Sequence, residues 1–187
     1  MSAVEISRFE KVLAFHAAPT LMGIKCGSLL SLSGEEFDLC ALSRLLGSQL
    51  ADRGLRIRLI PVGEKRKLIY IYNEELLKRK QNCMAVRQFL KKYGYSPTAS
   101  AEQWLDRLCE RLLEDGFPHE IGIFLDYPLE DIKGFIENCG QHCKLCGVWK
   151  VYGDVERARR IFAKYYRCRT ELCSQLEKGR RLAACVA

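Results

Sequence analysis

The chain has 187 residues, 48% of them hydrophobic and 28% charged, with 30 Lys and Arg against 23 Asp and Glu for a formal net charge of +7. That length suits one domain with a real core better than two small ones, and the composition excludes wholesale disorder. No apolar run approaches the roughly 20 residues needed to cross a bilayer, and residues 1–8 lack the basic start and apolar stretch of a secretory signal, so a cytoplasmic protein with no membrane partner is expected.

Val4 to Ala17 has helical spacing (Val4, Phe9, Val12, Leu13, His16), and Pro19 is expected to end that helix, since proline disfavours helical backbone in the residue before it. Leu29 to Leu32 reads as a short strand. Ser33 with Glu36 makes a capping-box pattern that opens a helix to about Asp52, with Phe37, Ala41, Leu42, Leu45, Leu46 and Leu50 on its apolar stripe and Gly54 as its stop. Arg56 to Val62 and Lys67 to Tyr72 alternate on either side of Gly63 and several charges, a β-hairpin with Ile57 and Leu59 facing inward. A basic helix, Glu74 to Lys92, is broken by Gly94 to Pro97, and Ser100 with Gln103 caps the next one, which carries Trp104, Leu105, Leu108 and Leu112 inward as far as Leu113.

Ile121 to Leu125 reads as a buried strand. Pro128 opens a helix to Glu137 with Glu130 and Asp131 in its favourable first turn, and Leu145 to Tyr152 reads as the last strand. A long helix from Asp154 closes the pattern, burying Ala158, Ile161, Phe162, Tyr165, Leu172 and Leu176. The expected fold is α/β (mixed α+β), a single domain over residues 1–187 with a small mixed sheet of about four or five strands, hairpin included, covered by helices.

Charge is unevenly placed. Residues 53–92 carry 12 basic side chains against 3 acidic, residues 102–156 carry 5 against 12, and residues 157–181 carry 9 against 2. Two basic blocks flanking an acidic one admit a nucleic-acid or protein-binding adaptor, or a solvated surface that partly pairs with the acidic block. The chain has 10 cysteines. Without an export signal most are expected to be free thiols, with Cys40, Cys83, Cys109 and Cys173 serving as small hydrophobes on helices.

Chemically capable side chains concentrate between Phe117 and Asp154. Cys139, Cys143 and Cys146 are spaced C-x3-C-x2-C, which with His142 could hold zinc or iron in a metal- or redox-sensing protein. Adjacent ligands such as His142 and Cys143 chelate one ion awkwardly, and the reading without metal is a cysteine-rich loop in a reducing cytosol. Pro118-His119-Glu120 offers a histidine and a carboxylate for acid–base work, although neighbours on a strand point to opposite faces. His16 to Lys25 passes a Pro turn to Thr20, Gly23 and Lys25, plausible contacts for a phosphate or carboxylate without the P-loop spacing. Trp149, Lys150 and Tyr152 set an aromatic wall beside an ammonium, suited to a planar anion.

Three segments, HAAPTLMGIK, FPHEIGIFLDYPLEDIKGFIEN and CGVWKVYGD, together resemble the family catalogued as domain of unknown function 3793. The resemblance spans nearly the whole chain and implies an intracellular bacterial protein, of a family found mainly in anaerobic Clostridia and their relatives, with no established activity. The family pattern falls on His16, Pro19, Thr20, Gly23 and Lys25, then on Pro118, His119, Glu120, Gly122, Tyr127, Pro128, Glu130, Asp131 and Gly134, and finally on Gly147, Trp149, Lys150, Tyr152 and Gly153. Ala17 stands where the family often has cysteine, which argues against a Cys-His nucleophile there, and Asp126 and Val148 stand where it often has Gly and Tyr.

The functional expectation is a pocket for a small anionic metabolite or cofactor of unknown identity. In it His16, Thr20 and Lys25 meet His119, Glu120, Trp149, Lys150 and Tyr152. Lys25 and Lys150 bind the anion, Trp149 or Tyr152 stacks on a ring, and His119 or Glu120, with His16, supplies acid–base chemistry if any occurs. The adaptor and the cysteine-based sensor stand as alternatives.

Overall fold

Ser2 starts the first helix. In the computed structural model, which describes residues 2–62, 66–114 and 116–186, the Ser2 hydroxyl accepts the Glu5 N–H (3.1 Å) while the Glu5 carboxylate accepts the Ser2 N–H (3.4 Å), opening α1 (Ala3–Leu21). Pro19 does not end α1 as expected. Placed in the last turn, it forfeits a single backbone bond, and the helix closes two residues later, where the Ile24 and Lys25 N–H groups both donate to the Pro19 carbonyl (2.8 and 3.0 Å). Gly23 turns the chain there at φ +69°.

Strand β1 (Gly27–Ser33) follows, longer than its apolar centre suggested. The Ser33 capping box is not formed, because Ser33 is the last ladder residue of β1, opposite Arg66, and its hydroxyl accepts the Glu35 N–H (3.2 Å). Asp38 caps α2 (Leu39–Leu50) instead, accepting the Ala41 N–H at 3.0 Å. After a 3-10 turn at Ala51–Arg53, Gly54 stops the helix at φ +67°, and β2 (Leu55–Pro61) and β3 (Arg66–Asn73) pair antiparallel as the hairpin pattern required. Gly63 and Lys65 of its turn lie outside the described residues. Pro61 is tolerated because β2 is an edge strand, the order being β1-β3-β2.

The expected helix over residues 74–92 is two helices, α3 (Glu74–Asn82) and α4 (Met84–Lys91). At the break Arg87 of α4 reaches back to the Gln81 carbonyl (2.5 Å) and the Asn82 side chain (3.3 Å), supplying donors to the end of α3. Helix α5 (Ala101–Leu113) begins with the predicted box: Ser100 accepts the Gln103 N–H (3.2 Å) and Gln103 accepts the Ser100 N–H (2.8 Å).

Two strand expectations fail in the next stretch. Residues 121–125 form a short helix, α6 (Ile121–Phe124), because the Ile121 and Gly122 N–H groups turn back onto the carbonyls of Pro118 and His119 (3.1 and 3.2 Å). A four-residue apolar run has no period to distinguish helix from strand. Helix α7 (Leu129–Glu137) follows as expected. Residues 145–152 are a tight hairpin, β4 (Leu145–Cys146) and β5 (Lys150–Val151), folded at Gly147 to Trp149. Helices α8 (Val155–Glu177) and α9 (Leu182–Cys185) complete the α/β class. Among the described residues the strands form a three-stranded and a two-stranded sheet, every pairing antiparallel, rather than one mixed sheet.

The chain folds as two compact units. One comprises Met1–Glu75 with Lys164–Ala187, the other Leu76–Ala163. In the first, Phe9, Leu13 and Leu21 of α1, Leu42, Leu46 and Leu50 of α2, Ile69 and Ile71 of β3 and Leu172 of α8 form one buried cluster. Each such side chain contributes roughly 1.5–3 kcal/mol by leaving water. Glu10, buried beside them, is held by Arg181, whose Nε reaches both carboxylate oxygens at 3.1 Å. In the second unit Tyr95, Trp104 and Phe124 pack edge to face or tilted with ring centroids 5.7–6.4 Å apart, and the Trp104 indole donates to the Ser96 carbonyl (3.0 Å).

None of the ten cysteines is in a disulfide. The expectation that Cys40, Cys83, Cys109 and Cys173 are packed as small hydrophobes is corrected: Cys40 and Cys83 are exposed, Cys109 and Cys173 half-buried, and the buried thiols are Cys26 and Cys168. Cys40 sits in the first turn of α2 on the side away from buried Leu39 and Leu42, where Lys67 donates to its sulfur at 3.4 Å. Cys83 occupies the break between α3 and α4. Among the described residues no helix is long and apolar enough to cross a membrane.

Candidate functional site

The second unit contains a cleft of about 420 Å³ between α6, α7 and the β4–β5 hairpin. Its walls are mainly apolar, with Phe117, Ile132, Phe135 and Val148 among them, and its polar groups include His119, Asp131 and Lys150. Tyr127 stacks on Trp149 (centroids 5.1 Å, planes 30° apart), and Phe162 meets the indole edge-on at 4.5 Å. Burial holds the Tyr127 phenol above the ordinary tyrosine value, so it is a neutral wall.

One carboxylate builds this corner. Asp131, in the first turn of α7 and buried, accepts the Trp149 indole N–H on Oδ2 and the Tyr152 and Gly153 backbone N–H groups on Oδ1, each at 2.7 Å. A buried carboxylate is tolerated when several donors replace its water, and the helix N-terminus adds to them. The surrounding glycines provide close approach. A Cβ at Gly134 would lie 2.5 Å from Tyr152 Cβ, and one at Gly122 would lie 2.7 Å from Ile132 Cγ1.

His119 and Glu120 part company. They sit in a helical turn rather than on a strand; His119 is exposed and lines the cleft, its ring edge-on to Phe135 at 4.9 Å, with no side-chain hydrogen bond among the described residues. Glu120 is fully buried and accepts from Arg111 Nε at 2.9 Å, with Oε2 left without a partner. Its charge and, above all, burial raise the Tyr95 phenol far above the ordinary range. Lys150 donates to the Gly140 carbonyl (2.6 Å) with its Nζ 5.9 Å from the centroid of Phe135, the ring His119 also touches. Tyr152 packs on Gly134 and its hydroxyl donates to the Gln141 carbonyl (2.9 Å).

The first motif belongs to the other unit. Thr20 is buried and hydrogen-bonds Ser28 of β1 (2.9 Å), and the nearly buried Lys25 lies with its Nζ 5.8 Å from the centroid of the Tyr165 ring. His16 is exposed on α1 beside Phe15, over whose ring Arg169 lies at 4.5 Å. Partial burial and then the Arg169 charge hold the imidazole below the usual histidine value of 6.5.

Among the described residues no three His, Cys, Asp or Glu side chains converge as metal ligands, so Cys139, Cys143, Cys146 and His142 make no preformed cage. The backbone at Cys139 and His142 is left-handed (φ 49° and 58°). In the basic block Arg56 pairs with Glu74 (3.0 Å) and Lys80 with Asp126 (2.5 Å), while Lys65 lies outside the described residues. The sequence assigns Phe117, Ile132 and Phe135 no role as lining, and although Tyr127 and Asp131 fall in the family pattern, Asp131 reads there only as a favourable first-turn acid. The signal for Asp131 was its place among Gly, Pro and aromatic residues in a segment already rich in punctuation.

Asp131→Asn is expected to destabilise the protein by about 2–4 kcal/mol in urea titrations, because an amide can serve the two backbone donors or the indole but turns its NH2 toward the other. Faster exchange of the Trp149 indole proton should accompany the loss; an unchanged midpoint would remove Asp131 as the organiser of this corner. For His16 the unfolded chain takes up the proton more readily than the folded one. The corresponding stability is present above about pH 6.5 and lost as pH falls below it. NMR titration should place the His16 midpoint below 6.5, and Arg169→Gln should raise it.

The family model described as "Protein of unknown function (DUF3793)" matches residues 13–186. No curated protein and no solved structure gives a match. The match takes in α1 almost from its middle, both sheets, the cleft and the C-terminal helices, and the chain belongs to the DUF3793 family.

Proposed function

We propose that the cleft of the second unit binds a small anionic metabolite or cofactor with a planar, apolar body. The observation that supports this reading is the meeting of His119 and Lys150 on one ring, Phe135, inside a cleft of about 420 Å³ with otherwise mainly apolar walls. Such sites draw affinity from apolar contact and orientation from a few polar groups. The Lys150 ammonium has three donors, of which the Gly140 carbonyl takes one, and the His119 nitrogens are unengaged among the described residues. The stacked Tyr127 and Trp149 give the ligand's ring a flat surface. If the ligand is a substrate, His119 is the proton carrier, because Glu120 is committed to Arg111 in the interior.

Native mass spectrometry of protein purified without oxygen should reveal a retained organic anion rather than metal. Anilinonaphthalene sulfonate, a planar apolar anion, should bind at one site and brighten. Lys150→Met and His119→Gln should each weaken that binding by about 10-fold or more, the loss of one charged hydrogen bond. Equal affinity in the wild type, both variants and Val148→Asp, which sets a carboxylate at the cleft wall, would sink the proposal.

A further inference from the structure

We infer that Cys146 is a nucleophilic thiol of this cleft, which exchanges with a small disulfide carrying an anionic group. The inference rests on the ligand-binding reading above and adds a covalent step to it. Cys146 is exposed and lines the same cleft as His119 and Lys150. In the β4–β5 register it stands directly opposite Lys150. The Gly147 N–H donates to the Trp149 carbonyl just beyond them (3.1 Å), which marks Cys146 and Lys150 as a pair without mutual backbone bonds. In pairs of that kind the Cα atoms are about 4.5 Å apart and the side chains are at their closest. The ammonium of the residue facing Cys146 is held by its bond to the Gly140 carbonyl, and a histidine with unengaged nitrogens shares the cavity.

Each group has one task. His119 takes the proton of the Cys146 thiol, and the sulfur attacks one sulfur of the bound disulfide. A new S–S bond joins Cys146 to half of the ligand, the old S–S bond breaks, and the departing thiolate receives the proton from His119 and leaves as a thiol. Cys146 is oxidised and the departing half reduced, with no further oxidant. Lys150 pairs with the ligand's anionic group, so the charge of the disulfide governs the rate.

The test uses the reduced full-length protein with oxidised glutathione as the anionic disulfide and bis(hydroxyethyl) disulfide as the neutral one, adducts being mapped by peptide mass spectrometry. Cys146 is expected to react at least about 10-fold faster with oxidised glutathione than Cys40, Cys83 and Cys139, the other exposed thiols. Lys150→Met should abolish the preference for the anionic reagent, and His119→Gln should slow both reagents and flatten the pH dependence. Protection of buried Cys26 and Cys168 certifies the fold of each variant. Where Lys150→Met exposes them, Lys150→Gln, which removes the charge and keeps a donor for Gly140, takes its place. Cys146 reacting no faster than the other exposed thiols, or with a charge preference indifferent to Lys150, overturns the inference. Binding of anilinonaphthalene sulfonate is read separately: a cleft that binds it around an inert Cys146 defeats this inference alone, whereas a selective Cys146 in a cleft that binds no such anion defeats only the ligand reading above.

Discussion

The second unit depends on the burial of the Asp131 carboxylate under three N–H donors. Removing an ion from water costs several kcal/mol, and only a full set of well-placed donors offsets that cost. Two of the donors are consecutive backbone amides just after β5, and the third is an indole in the hairpin turn, so the carboxylate ties both ends of a very short hairpin to α7. Two-residue strands have little stability of their own. The anchor explains why the hairpin stays closed and why Trp149 lies flat against Tyr127. Glycine at 134, 122 and 153 is then a steric requirement of the close approach that the anchor enforces.

His119 and Glu120 show how strongly position governs chemistry. Both are ionisable and adjacent in sequence, yet one turns into the cleft mouth while the other enters the core to meet Arg111. The buried carboxylate secures the start of α6 from beneath and so fixes the turn from which His119 projects. The roughly 100° step of helical backbone is enough to send one of these neighbours into the core and the other to the cleft.

Much of the fold was legible in the chain. The β2–β3 hairpin, the Ser100 capping box, the Gly54 stop and α8 followed from local patterns whose physical cause is local. The failures have several causes. The ladder partner Arg66 decides the conformation at Ser33, the helix ends near Pro19 and Cys83 are set by backbone and side-chain bonds that the residue pattern does not show, and the short apolar segments at Ile121 and Leu145 have no period from which to choose helix or strand. At the candidate site, the dense Phe117–Asp154 segment holds the residues that line the cleft. His119, Trp149 and Lys150 line the cleft, but nothing in the order of residues could show that Glu120 turns inward or that Asp131 faces the hairpin. The three cysteines matched a ligand spacing while their backbone, left-handed at Cys139, followed the needs of a turn.

The division of the chain also orders its folding. The second unit is one continuous segment, residues 76–163, and its anchor joins residues only 18–22 positions apart. The first unit is interrupted by that segment, and Cys168, Leu172, Leu176, Leu182 and Val186 of its core lie beyond it in the chain. Entropy charges more for closing a long loop than a short one, so the early part of the chain waits. Helix α1 therefore matures late, its Glu10 still solvated until Arg181, 171 positions further on, arrives. Pulsed hydrogen exchange during refolding would register this as protection of residues 84–151 ahead of β1 to β3; protection in the opposite order would refute it. The segment that interrupts the first unit thus closes on shorter loops than the unit it interrupts.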